Sequence, residues 1–214
     1  MKSRVTAWSA PLVCALLISG AAAANPLTPR GQDYASPTMR IFGPAHPPYG
    51  FVNFCERMPQ ECAQGLQHES RFPATRQQLA QLEAVNRGVN HEIEPITDAE
   101  HYGLADYWTI PTTKGDCEDY VLLKRKRLMA LGWPASALLI TVVRDERGEG
   151  HAVLTVRITQ GDFILDNKTD EIMIWHRTRY DYVMRQSYLN PRVWMSLDPR
   201  EGNPAQPLAA MRDR

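Results

Sequence analysis

The chain has no excess of charge of either sign: 24 Lys and Arg balance 24 Asp and Glu over 214 residues. No strong field therefore points to nucleic acid or to an anionic lipid surface. No segment after the N-terminus approaches the roughly 20 consecutive apolar residues that a membrane-spanning helix takes. His46, His68, His91, His101 and His176 show no metal-ligand spacing and read as surface or core residues. No internal repeat is present. Cysteine is scarce, four in all, which excludes a disulfide-dense scaffold.

What is present begins with an export signal over residues 1–24. Lys2 and Arg4 form a positive n-region, Ala10 to Ile18 an apolar stretch too short to span a bilayer, and Ala21 to Ala24 the small residues a signal peptidase accepts. Cys14 lies upstream of that cleavage site and is discounted as a lipid-attachment site. Removal of this segment leaves 22 basic against 24 acidic residues. The mature chain is expected in the periplasm as one domain, long enough to bury roughly 70% of its unfolded surface. Three cysteines remain after export, Cys55, Cys62 and Cys117. Cys55 and Cys62 are the obvious pair, and closing so small a loop stabilises by about 2.5 kcal/mol in the chain-entropy model. Cys117 is then left as a free thiol.

Residues 25–75 are rich in Pro, Gly and small polar residues and read as an irregular lead-in. From Arg76 to about Glu94, Leu79, Leu82, Val85, Val89 and Ile93 step by three and four, which predicts a helix stopped by Pro95. A second helix is expected from Cys117 to about Leu131, with Asp116 as N-cap, Glu118 and Asp119 in the first turn, and Gly132 and Pro134 closing it. The run Lys124-Arg125-Lys126-Arg127 reads as a solvated face. Strands follow at Leu138–Val143, His151–Ile158 and Phe163–Asp166, with two more expected at Glu171–Trp175 and Tyr182–Tyr188. Helices followed by an antiparallel sheet make an α+β domain over residues 76–197. Residues 198–214 lose periodicity and read as a tail.

The most informative stretch is Gly115-Asp116-Cys117-Glu118-Asp119-Tyr120. A helix start stabilises a thiolate, whereas three adjacent carboxylates raise the thiol pKa, so something positive must offset them if the sulfur is to react. Cysteine hydrolases also need an imidazole to carry the proton and a group to orient it. His151 begins one strand and Asp166 ends the next, which makes them candidates for those roles. A turn at Gln160-Gly161 would set Asp166 opposite Thr155, about 13 Å along the strand from His151. Contact then requires a bulge or another loop register. Plainer readings stand beside these: Cys117 as a buried helix-start residue, His151 as a strand end, Asp166 with Asn167 as a turn, and Asp116, Glu118 and Asp119 as capping residues.

Together, Gly115 to Tyr120, Leu131-Gly132-Trp133-Pro134, Gly150 to Leu154 and Ile164-Leu165-Asp166-Asn167 resemble the bacterial transglutaminase-like cysteine proteinases, the LapG-type periplasmic proteases. Val85 to Asn90 and Asp106-Tyr107-Trp108 with Pro111 resemble the family's lead-in, and the likeness covers residues 76–175. It implies a papain-like or transglutaminase-like α+β fold with N-terminal helices packed on an antiparallel sheet. It further implies Cys117 as nucleophile, His151 as general base and acid, and Asp166 as orienter. Calcium is implied as cofactor, bound by Asp116 and Glu118 with Asp119 as third ligand. The implied substrate is a large surface adhesin, whose cleavage releases it and disperses biofilm, and the implied partner is an inner-membrane receptor for cyclic di-GMP that sequesters the protease. Trp108 stands where an upstream oxyanion donor is expected in sequence order, and Trp133 or Trp175 would anchor a partner if exposed. Two other readings keep the fold: an amidase or acyltransferase on cell-wall peptides, and a non-catalytic calcium-binding module.

Overall fold

The computed structural model describes residues 36–63 and 71–200. The signal segment and residues 201–214 of the expected tail lie outside the described residues. Among the described residues, nine strands and four α-helices follow in chain order: β1 Gly43–Ala45, α1 Tyr49–Arg57, α2 Arg76–Glu92, β2 Glu94–Pro95, α3 Asp98–Tyr102, β3 Lys114–Gly115, α4 Cys117–Ala130, β4 Leu138–Arg144, β5 Gly150–Ile158, β6 Gly161–Asp166, β7 Thr169–Ile174, β8 Asp181–Gln186 and β9 Trp194–Ser196. Seven strands form one antiparallel sheet in the order β1-β9-β8-β4-β5-β6-β7, and β2 pairs with β3 in parallel.

The order of helices and strands is the α+β arrangement expected, and the central strands β4, β5 and β6 alternate their apolar residues between two buried faces. One face of the sheet, through Leu138, Ile140, Ala152, Leu154, Val156 and Leu165, packs on Leu82 of α2 and on Val121, Leu122 and Leu128 of α4. The other face gathers Val143, Val153, Ile164, Trp175, Tyr182, Met39 and Leu197. No helix among the described residues is long and apolar enough to cross a membrane. At the start of α2, Thr75 and Gln78 form a reciprocal capping box, worth about 1 kcal/mol.

Residues 43–62 correct the expectation of an irregular lead-in. Here α1 buries Phe51, Phe54 and Cys55 in the main core, and β1 completes the sheet through β9. Gly50 permits this packing, since a Cβ there would meet Asp106 Oδ2 at 2.4 Å and Trp108 at 2.5 Å. Cys55 and Cys62 form the expected disulfide, with both residues buried. A second correction falls on α4. Lys124 and Arg125 are buried rather than solvated, while Lys126 and Arg127 make surface ion pairs with Glu61 and Glu92. The helix is pressed between α2 and the sheet, so only part of its circumference reaches water.

Candidate active site

β5 and β6 meet in a two-residue turn, with Ile158 opposite Gly161 and Leu154 opposite Leu165. The turn is therefore Thr159-Gln160, one step earlier than expected. Continuing this register sets Asp166 opposite Val153, two residues from His151 and on the same face as it. The alternative loop register, with no bulge between these two strands, closes the gap that the sequence left open. His151 Nε2 lies 2.9 Å from Asp166 Oδ1, and both side chains are almost fully buried, at 4% and 1% exposed.

Asp166 is held from several sides. Its Oδ1 also accepts the Lys168 N–H at 3.0 Å, its Oδ2 accepts the Tyr180 hydroxyl at 2.5 Å, and Asn90 Nδ2 donates to its carbonyl at 3.0 Å. Burial raises the carboxyl pKa, but His151, Lys168 and Tyr180 together outweigh it and leave the group below its ordinary value. An ionised carboxylate only accepts, so Nε2 carries the proton and Nδ1 is left free to take one. The Tyr180 ring packs edge-on against the imidazole, with centroids 5.6 Å apart. Burial and then Asp166 raise the Tyr180 pKa, which keeps its hydroxyl a donor. Sequence reading missed Tyr180. It follows a short helical turn between β7 and β8, and no spacing ties it to Asp166.

Cys117 opens α4, where the first amides have no intrahelical acceptor. Its thiol donates to Glu118 Oε2 at 3.0 Å. Burial, followed by the Glu118 charge, pushes the thiol well above its ordinary value, with the Ala152 N–H acting the other way.

The acids beside Cys117 divide into two sets. Oxygens of Asp98, Asp116 and Glu118 all lie within 4.8 Å of one another. Asp98 donates its backbone N–H to Asp116 Oδ2 at 3.2 Å and accepts the Tyr107 N–H on its carboxylate. Asp116 occupies the N-cap position, yet its side chain makes no capping bond, and its buried Oδ1 has no hydrogen-bond partner. Burial raises all three carboxyls, Glu118 up to about 9; the Asp116 charge adds to it at Asp98 and Glu118, and the Asp106 charge at Asp116. Asp119 stands outside this group. Its Oδ1 accepts the Thr109 N–H at 2.8 Å, while its Oδ2 presses on Gly115, where a Cβ would come within 2.7 Å. Burial lifts Asp119 to about 8. Of the three acids read from sequence, Asp116 and Glu118 thus lie in one cluster with Asp98, and Asp119 lies beside it. In the sequence Asp98 is hidden inside the Thr97–Glu100 capping box, which reads as an ordinary helix start.

The three tryptophans singled out from the sequence are all buried. Trp108 is buried and donates its indole N–H to Asp106 Oδ1 at 2.7 Å, so that donor is already engaged. Trp133 and Trp175 are also buried, bonded to Gln81 and to the Ser36 carbonyl, and neither presents an exposed anchor.

The family model of the bacterial transglutaminase-like cysteine proteinases matches residues 41–202. Among solved structures, the chain is similar to calcium-bound LapG of Legionella pneumophila at 28% identity, covering 55% of this chain and 68% of that one with a TM-score of 0.48. Similarity to EGTA-treated LapG of the same organism is 29% identity over 55% of this chain and 67% of that one, with a TM-score of 0.47. No curated protein matches.

Proposed function

The chain belongs to the bacterial transglutaminase-like cysteine proteinases and is a cysteine peptidase, and from that premise we propose a calcium-dependent periplasmic endopeptidase that uses Cys117, His151 and Asp166. One observation carries the reading: His151 and Asp166 form a buried pair at 2.9 Å at the end of β5 and β6, and the backbone N–H of Ala152, next to His151, acts on the Cys117 thiol to lower its pKa. His151 Nδ1 takes the thiol proton, and the sulfur attacks the scissile carbonyl carbon. The tetrahedral oxyanion draws on the Cys117 N–H at the helix start. His151 returns the proton to the leaving amine, leaving a thioester that water hydrolyses with His151 again as base. Asp166 keeps the imidazole in the tautomer that makes this exchange work.

Asp98, Asp116 and Glu118 fit a hard cation. They offer only oxygen donors, Asp98 and Glu118 are buried with Asp116 half-buried between them in sequence, and Asp116 Oδ1 has no hydrogen-bond partner among the described residues. Calcium bound there supplies positive charge beside a helix start that is otherwise crowded with carboxylates. The periplasmic location rests on the signal segment. The adhesin substrate and the sequestering cyclic di-GMP receptor rest on the family resemblance.

The test is proteolysis of surface proteins from the chain's host by the mature protein, with calcium and after chelation, beside Cys117→Ala. Calcium-dependent cleavage that the variant lacks is the expected result. Cleavage indifferent to verified metal removal would sink the calcium role. Activity on peptidoglycan fragments alone would replace the endopeptidase with the cell-wall amidase.

A further inference from the structure

Arg177 and Arg179 are exposed cations that the proposed reaction does not use. They line a cavity of about 300 Å³ together with Glu146, Lys168, Met173 and Tyr180. Lys168 is already balanced, its ammonium 2.7 Å from Asp145 Oδ2. Neither guanidinium has an ion-pair partner among the described residues. The charge of the cavity therefore rests on two arginines against the single carboxylate of Glu146.

The segment that carries the arginines is anchored at both ends. Trp175 is fully buried and donates its indole N–H to the Ser36 carbonyl at 3.0 Å. Thr178 donates its hydroxyl to the Trp175 carbonyl at 2.7 Å and stands 2.9 Å from the Tyr182 hydroxyl. Thr178 is thus turned into the fold, which leaves its neighbours Arg177 and Arg179 on the outside.

One side chain joins this cavity to the candidate site. Tyr180 lines the cavity, donates to Asp166 Oδ2 and packs on the His151 ring with centroids 5.6 Å apart. The chemistry decides which part of a substrate comes here. His151 protonates the leaving amine, so the residues that follow the scissile bond depart past the imidazole. At about 3.3 Å per residue, an extended chain passes Tyr180 within about three residues of the cut. An arginine fork matches a carboxylate with two parallel hydrogen bonds, and Met173 gives an apolar wall for the methylenes of a glutamate.

We propose that Arg177 and Arg179 form a specificity subsite, which takes an acidic side chain among the first three residues after the scissile bond. This rests on the Cys117, His151 and Asp166 reading above.

The probe is a mixture of synthetic peptides of random sequence, digested by the mature protein in calcium, with each cut bond identified by mass spectrometry. Glu and Asp should be enriched about fivefold over Gln and Asn at one of the three positions after the cut, and high salt should shrink that ratio. Arg177→Gln and Arg179→Gln should each lower it. Arg177→Glu combined with Arg179→Glu should turn the preference to Lys and Arg, an inversion that a merely structural role does not produce. Arg76→Gln removes a surface charge where α2 starts beside the β5–β6 turn, at the other end of these strands from His151, and should keep the acidic preference. Equal acid and amide frequencies after the cut, or an acidic preference that survives the arginine substitutions, overturns the subsite alone. Failure of the unsubstituted chain to cut any peptide overturns the endopeptidase reading, and the subsite with it.

Discussion

The two halves of the candidate site are built on opposite principles. On the His151 side every side-chain oxygen of Asp166 has a donor within the chain: His151 and Lys168 on one, Tyr180 on the other. On the acidic side, Asp98, Asp116 and Glu118 face one another, with carboxyls raised by burial and repulsion, and Asp116 Oδ1 is left without a partner. The first half is complete as folded. The second is a set of hard donors whose charges the chain itself does not balance. On the function proposed above, the two halves would carry separate tasks, proton handling for one and cation binding for the other.

The largest effect should come from breaking the completed half. Asp166→Asn keeps the shape but favours the wrong imidazole tautomer, so kcat/KM should fall by about 10³-fold or more. Calcium should still raise the melting temperature of this variant as it does the parent's. Loss of both responses together would mean that the halves are one structural unit.

Next in size is the cation itself. A ligand at a hundred times its Kd stabilises the fold by about 2.7 kcal/mol, which for a chain of this length raises Tm by about 5 to 10 °C. Asp98→Asn tests which acids are responsible. In chelator the variant should melt higher than the parent, because one buried charge is gone, and in calcium it should gain less. Asp119→Asn should leave the calcium response nearly intact, since Asp119 bonds Thr109 outside the cluster. Equal loss of calcium response in both would return Asp119 to the metal set.

Tyr180→Phe removes a single donor from the completed half. A hydrogen bond to a charged group is worth about 1.5 kcal/mol or more, so kcat should fall about tenfold with KM unchanged. Unaltered kcat would make Tyr180 a packing residue for the His151 ring and nothing more.

How much of this was legible in the sequence follows the range of the interaction. The α2 and α4 helices, the main strands and the disulfide announce themselves through period, caps and spacing within a few residues. Cys117, His151 and Asp166 were legible as types in a suggestive order, but their juxtaposition hung on whether the β5–β6 turn is Gln160-Gly161 or Thr159-Gln160. Either dipeptide reads as a turn, and a shift of one position moves Asp166 by one Thr155-to-Val153 step along β5. Asp98 and Tyr180 were hidden for another reason. Each has an ordinary local explanation, as helix start and loop aromatic, and only tertiary packing brings it to the site. The short helix α1 was missed because the Pro and Gly residues before it read as turns, while its burial depends on Trp108 and Trp194, far away in sequence.

The last expectation is one of sign, and it separates the halves without any assay of activity. Near the completed half, Asp145 is held down to about 2, chiefly by Lys168 and then by the backbone N–H groups of Arg147 and Glu149. Its folded pKa lies below the unfolded value of about 3.9. Its contribution is therefore present above about pH 4 and lost as pH falls through the folded value. Glu118 and Asp119 have the reverse sign, with folded values of about 9 and about 8. Protonated in the folded state and ionised in the unfolded one, they make the metal-free protein less stable as pH rises from about 4 toward those values. Urea midpoints against pH should thus decline toward alkaline pH in chelator, and calcium should flatten that decline by favouring the ionised carboxylates. Asp145→Asn should change only the acid end, and Asp98→Asn the profile in chelator together with the calcium gain. A calcium-insensitive slope would mean that the acidic half, like the other, is already balanced by the fold.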